Sequence, residues 1–224
     1  MPHCVPMAGA HGAKGKLSLK TAQIRIDVWS DYVCPFCYLE QPVLRRIARQ
    51  YQGKVVLEWR AFELRPEPVP TLDPDCEYLH AIWNRAVYPM AHTRGMKLRL
   101  PPIQPRSRRA FEAAEFARAH GRFADMHEAL FRAFFQEGLD LGSLSVLLQV
   151  AAGVGLDTGT LRRTLETGQH ASKVVQDEKL AYEIGITGVP TMVLSRPGKT
   201  PEIESMLAGA QPLELVQEQV ERAL

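Results

Sequence analysis

The sequence predicts an α/β fold, and three observations carry that prediction. Residues 24–29 alternate Ile24, Ile26 and Val28 on one face with Arg25, Asp27 and Trp29 on the other, which is the period of a half-buried strand. Residues 54–62 (KVVLEWRAF) read as a second strand. The single helical pattern between the two makes a βαβ unit, with parallel strands and a right-handed crossover. Near the C-terminus come a helix over 173–184, a strand over 191–194, a weak strand over 206–208 and a helix opened by Pro212. Between these blocks the patterns are helical only. The expected organisation is therefore a lead-in over 1–22, a discontinuous α/β domain over 23–65 and 174–224, and a helical insertion over 66–173.

The bulk numbers bound the function. At 224 residues the chain can bury a sizeable core without staples. Its 46% hydrophobic and 23% charged residues are ordinary for a soluble domain. A net charge of +2 gives no global reason to expect nucleic acid or a membrane surface as a partner. No run approaches the apolar length of a membrane span, and residues 1–20 lack the apolar core of a secretory signal. Four cysteines are too few for a disulfide framework. Two form a close pair, and Cys4 and Cys76 stand alone. That usage fits a reducing compartment, so a cytoplasmic location is expected.

Each element has its own signal. The helix after Pro35 carries its apolar stripe at Val43, Leu44, Ile47, Ala48 and Tyr51 and stops at Gly53. Pro42 lies inside it and should kink it. Pro66, Pro68 and Pro70 end regular structure. A helix is expected over 76–88, and Pro101, Pro102 and Pro105 mark a loop. Residues 107–120 are rich in helix formers and are stopped by Gly121. Phe123, Met126, Leu130, Phe131, Phe134 and Phe135 recur at helical spacing, so 123–137 should be the centre of the insertion's core. Shorter helices are expected over 143–152 and 158–167. Residues 196–199 read as a turn between the last two strands. Leu213, Val216, Val220 and Leu224 form the stripe of the last helix.

The chemistry concentrates in Cys34-Pro35-Phe36-Cys37, at a strand-to-helix junction. The first thiol sits where unpaired helix N–H groups point, a place that favours a thiolate. Proline at the first helical position costs no hydrogen bond. The second thiol, one turn on, is placed to attack a mixed disulfide and release the client. Cys34 thus reads as the attacking thiol and Cys37 as the resolving one. The competing reading is half of a zinc site, with Cys76 and His80 as the other half. The long helix suits that poorly, and no metal is expected. Asp27 is either a buried carboxyl that passes protons to Cys37 or a carboxylate at the surface or sheet edge. His92, His120 and His127 read as surface or capping residues. Lys97, Arg99, Arg106, Arg108 and Arg109 read as a solvated basic patch, and Cys76 as a half-buried structural thiol.

These residues carry a resemblance. The βαβ unit with Cys-Pro-Phe-Cys at its helix start, the helical insertion, and Gly188-Val189-Pro190-Thr191 before a strand resemble the DsbA-like branch of the thioredoxin superfamily. Ser30-Asp31-Tyr32-Val33 before the pair, Phe62-Glu63-Leu64-Arg65-Pro66 and Gly209-Ala210-Gln211-Pro212 are similar to its FrnE-like group. The resemblance implies a thioredoxin fold with a four-stranded mixed sheet in the order 2-1-3-4. It implies a cis peptide at Val189-Pro190, in a loop that lies against the cysteines and offers the Val189 backbone to an extended client. It implies a thiol–disulfide oxidoreductase with Cys34 and Cys37 catalytic, and with Pro35, Phe36, Val189 and Pro190 at the client. No bound cofactor is expected; glutathione is a candidate partner thiol, beside client proteins and small-molecule disulfides. Self-association into a homodimer stays open. Phe36 stands where the group commonly has Trp. The same scaffold also hosts glutathione-dependent isomerases and kappa-class transferases, which activate a glutathione thiol with a serine and need no dithiol. A third option is a binding module that kept the fold without the chemistry.

Overall fold

The computed structural model describes residues 22–197 and 202–224. The N-terminal lead-in up to residue 21, Cys4 within it, and part of the turn expected over 196–199 lie outside these residues. Strand β1 spans Ile24–Ser30, helix α1 Pro35–Gln50 and strand β2 Val55–Ala61. Helices α2 (Glu77–Ile82) and α3 (Tyr88–Thr93) are joined by a π-helical turn over Trp83–Val87. Then follow α4 (Arg108–Ala119), α5 (Phe123–Phe135), α6 (Leu144–Gly153), α7 (Thr158–Thr167) and α8 (Ala171–Glu183). Strands β3 (Thr191–Arg196) and β4 (Glu202–Ala208) and helix α9 (Leu213–Ala223) complete the order.

The four strands form one sheet in the order β2-β1-β3-β4, which is the order the resemblance implies. β1 runs parallel to β2, with Ile26 opposite Leu57 and Ser30 opposite Ala61. It is antiparallel to β3, with Trp29 opposite Thr191. This register brings the end of β1, and so the turn that carries the cysteines, beside the start of β3. The expected βαβ unit with parallel strands is present, and α1 runs unbroken through Pro42.

The alternation of β1 divides its side chains between two cores. Ile24, Ile26 and Val28 pack with Val43, Leu44 and Ile47 of α1 and Val216 and Val220 of α9. Trp29 points the other way, toward Phe62, Val193 and Ala181, and its indole N–H donates to the Asp177 carbonyl at 2.9 Å. Helices thus cover both faces of the sheet. Burial of each such side chain contributes roughly 1.5–3 kcal/mol. The third and largest core belongs to the helices between β2 and β3. Met126, Leu130, Phe131, Phe134 and Phe135 of α5 are fully buried in it, as their spacing predicts. Tyr32, Cys34, Cys37 and Tyr38 are part of this same cluster, so the insertion's core is continuous with the cysteine turn.

Two elements differ from their sequence signals. The helix expected to end at residue 88 continues to Thr93. Pro89 does not break it, because the π-helical turn shifts the hydrogen-bond ladder just before the proline, which then falls in the first turn of α3. Strand β4 is longer than the apolar run at 206–208, because Glu202, Ile203 and Ser205 pair with β3 as well. Polar residues there reflect an edge strand with an exposed face.

Candidate functional site

The site is built by the turn between β1 and α1. Cys34 is the N-cap residue of α1, in extended conformation, and Pro35 is the first helical residue. Both cysteines are free thiols. Both are buried, Cys34 at 4% exposed and Cys37 at 1%. The Cys34 thiol donates to the Val189 carbonyl at 3.6 Å, across 155 residues of chain. The Asp31 N–H donates to Cys37 Sγ at 3.4 Å. Burial pushes the Cys37 thiol well above the ordinary cysteine range, and the adjacent Cys34 sulfur pushes it the same way. The Asp31 N–H pulls it down in part. At neutral pH Cys37 is therefore protonated.

Val189 and Pro190 come to the cysteines through the β1–β3 register. The Val189–Pro190 peptide bond is cis. Its loop is pinned from both sides: the Gly209 N–H donates to the Pro190 carbonyl at 2.7 Å, and the Thr191 hydroxyl donates to the Gly188 carbonyl at 2.7 Å. Pro190 is buried and Val189 half-buried. Cys34, Pro35, Phe36 and Val189 together line one end of a cleft of about 310 Å³. The insertion lines the same cleft through Tyr78, Ile82 and Trp83 of α2 and the π-helical turn, and Phe135 of α5. Four of the six site residues read from the sequence thus share one surface. Cys37 lies behind it, and Pro190 lies in the loop that holds Val189 there.

Asp27 is not a carboxylate at the surface or sheet edge. It is buried in mid-strand, where Arg25 donates to it at 2.7 Å and Arg60 at 2.9 Å. Arg60 also holds Asp177 at 2.8 Å, and Lys173 closes the network on Asp177. The buried carboxyl at the cysteine turn is Asp31, four residues further on. It accepts from the Val33 N–H at 3.2 Å and the Leu64 N–H at 2.7 Å. Burial outweighs these bonds and pushes it up to about 6. The signal for Asp31 was present in the turn sequence: an acid just past the strand end, where a side chain caps loop N–H groups.

The histidines and arginines also divide differently from expectation. His120 caps α4 through its bond to the Phe116 carbonyl, and His92 is exposed, both as expected. His127 is instead buried, with Nδ1 2.9 Å from the Tyr32 hydroxyl. Burial lowers it to about 3, so it is neutral. The basic patch is not simply solvated. Arg106 pairs with Glu67 at 2.6 Å, and Arg108 holds the buried Glu63 and reaches Glu178 at 3.5 Å. Cys76 is half-buried at the start of α2 and packs on the insertion core. Among the described residues, no three His, Cys, Asp or Glu side chains are arranged as metal ligands, and no helix is long and apolar enough to cross a membrane.

Comparison with known proteins places this geometry. The protein YwbO of Bacillus subtilis (strain 168), itself uncharacterized, is 36% identical over 176 residues, which cover 76% of this chain and 86% of YwbO. A probable DsbA oxidoreductase from Streptomyces coelicolor has a TM-score of 0.72 at 24% identity, covering 89% of each chain. The cytosolic disulfide reductase DsbM from Pseudomonas aeruginosa has a TM-score of 0.66 at 20% identity, covering 88% of this chain and 99% of DsbM. The model of the DSBA-like thioredoxin domain matches residues 25–221, a span that includes the cysteine pair, the insertion and the Val189–Pro190 loop, and the chain belongs to that family.

Proposed function

We propose that the protein is a thiol–disulfide oxidoreductase of the FrnE-like kind, working in the cytoplasm through Cys34 and Cys37. The observation that carries the reading is the placement of two free thiols side by side. One of them is at the end of an open cleft and against the Val189 carbonyl. In the reducing direction, the Cys34 thiolate attacks a client disulfide. A Cys34–client bond forms, the client's own S–S bond breaks, and one client thiolate leaves. Cys37 then gives up its proton and attacks Cys34 Sγ, forming the internal disulfide and releasing the second client thiolate. Two electrons pass from the protein to the client. The reverse sequence oxidises a dithiol, and the direction is set by the potential of the pair against its surroundings.

Pro35, Phe36, Val189 and Pro190 serve this chemistry by shaping the client's path. An extended client that passes Val189 meets a backbone edge of the kind strands pair with, while Phe36 and Pro35 supply an apolar contact beside the reacting sulfur. No bound cofactor takes part, and glutathione is a suitable partner thiol to restore the reduced pair. The cytosolic neighbour DsbM and the two free thiols support a cytoplasmic setting. A glutathione-dependent isomerase or transferase would leave Cys37 idle. The contact between Cys37 Sγ and the Asp31 N–H favours a reading in which the second thiol works.

Paired variants test the proposal. Cys34→Ser should abolish reduction of insulin and of small disulfides. Cys37→Ser should retain the first attack but hold the client covalently, as a mass adduct on Cys34 that a reductant removes. Undiminished turnover by Cys37→Ser, with no adduct, would turn the assignment toward the single-thiol isomerase class.

A further inference from the structure

The cleft beside Cys34 is more specific than a client path needs to be. Its volume of about 310 Å³ is at the lower end for small-molecule sites. That space holds a ring and its substituents, not several residues of peptide. Three aromatic side chains line it: Phe36, next to the cysteine pair in sequence, and Tyr78 and Trp83 from the insertion. Trp83 is 2% exposed and packed, whereas Tyr78 is 63% exposed. A bare aromatic at the edge of an apolar cleft is a stacking surface.

Two polar groups that line the same cleft are short of partners. Arg65 lines the cleft and is half-buried. Among the described residues, no carboxylate pairs with it; the acids two residues before and after it are taken, Glu63 by Arg108 and Glu67 by Arg106. Gln104 is also a cleft residue, and its side-chain nitrogen is buried without a hydrogen-bond partner. A free guanidinium and an unpaired amide donor beside an apolar slot together match a carboxylate on an aromatic body.

We propose that this cleft binds a small aromatic disulfide carrying a carboxylate, with the ring between Tyr78 and Phe36, the carboxylate on Arg65 and Gln104, and the disulfide against Cys34. The proposal rests on the exchange reading above and names its substrate class. The reaction balances without an added reductant in one turnover. The Cys34 thiolate attacks one sulfur of the aryl disulfide, the aryl S–S bond breaks, and an arylthiolate leaves. Cys37 loses its proton to solvent and attacks Cys34 Sγ, expelling the second arylthiolate. The protein dithiol loses two electrons, and the disulfide gains them.

The test is a single-turnover reaction of the fully reduced protein with three disulfides: dithiobis-nitrobenzoate, its dimethyl ester, and hydroxyethyl disulfide. Loss of protein thiols is read in quenched samples. Each rate is divided by the rate of the same disulfide with dithiothreitol, which removes intrinsic reactivity. The aromatic acid should exceed its ester by about tenfold, the worth of one charge-assisted hydrogen bond, and should exceed the aliphatic disulfide by at least as much. Arg65→Gln should shrink the acid-to-ester ratio to near one. Tyr78→Ala should shrink the aromatic-to-aliphatic ratio by about threefold to tenfold. Both positions are at least partly exposed, so both variants should fold. Equal normalised rates, or a preference that both variants retain, would overturn the cleft assignment and leave disulfide exchange standing. No reaction with any of the three would remove the exchange reading, and this proposal with it.

Discussion

Cys37 is buried with the Asp31 N–H on its sulfur, and that environment sets the slow side of the chemistry. Its thiol is pushed well up by burial, so only a small fraction is thiolate at neutral pH, and that fraction grows about tenfold for each unit of pH. Release of client from a Cys34 mixed disulfide should therefore accelerate with pH across about 6.5 to 8.5. Rapid-quench mass spectrometry on a preformed adduct reads this rate directly. A flat profile would mean that a fixed internal base removes the proton. The cysteines, Val189 and Pro190 were legible in the sequence because each sits in a short contiguous motif. For Asp27 the sequence left burial and exposure open, because its partner Arg60 is 33 residues away. Nothing in local spacing reveals such a pairing. The same holds for His127, whose partner Tyr32 is 95 residues distant.

Elements join at this site through single side chains. Arg94, at the end of α3, donates to the Leu39 carbonyl at 2.6 Å and to Glu40 at 2.8 Å, both on α1, one turn beyond Cys37. Its other nitrogen donates to the Gln211 carbonyl at 2.6 Å, before α9. The Gln211 N–H returns to Glu40 at 3.0 Å. One guanidinium thus ties the insertion to both helices on the α1 face of the sheet. Arg94→Ala would take one donor from two carbonyls and leave the buried Glu40 carboxyl with the Gln211 N–H alone, at a cost of about 3 kcal/mol. Adding Glu40→Gln should return part of that loss, because the carboxyl no longer has to be buried alone. Urea unfolding of the two single variants and the double variant forms the cycle that tests this; additive losses would mean that the ion pair contributes nothing beyond the backbone contacts. At this scale the helices and central strands follow from apolar periodicity. The extension through Pro89 and the full length of β4 do not, because a π-helical turn and an edge strand leave no apolar signature.

The insertion, the sheet and the cysteine turn share buried carboxyls, so the molecule as a whole should respond to pH. Burial pushes Asp31 up to about 6 and Glu40 up to about 7. Glu40 is raised although Arg94 pairs with it, since one of its oxygens is buried without a partner. Glu178 is also raised by burial, and by Glu63 facing the same Arg108. A carboxyl whose folded pKa is raised binds its proton more tightly in the native state. Its contribution is complete below the unfolded value near 4 and is lost as pH rises through about 6 to 7. His127 works in the opposite direction. Its pKa is lowered from 6.5 to about 3, so its contribution is present above 6.5 and is lost as pH falls toward 3. Between pH of about 5 and 7, the four raised carboxyls, Glu112 among them, outnumber the two lowered imidazoles of His127 and His170, so folding takes up protons. The melting temperature of the reduced protein should therefore rise by several degrees as pH falls from about 8 to about 5.5, and turn over below about 4, where the loss at His127 continues. Scanning calorimetry across that range checks the sign, and Glu40→Gln should flatten the upper part of the curve. A melting temperature that falls steadily from pH 8 downward would mean that these carboxyls are ionised partners of Arg94 and Arg108 in the native state, and that their charge holds the insertion to the sheet.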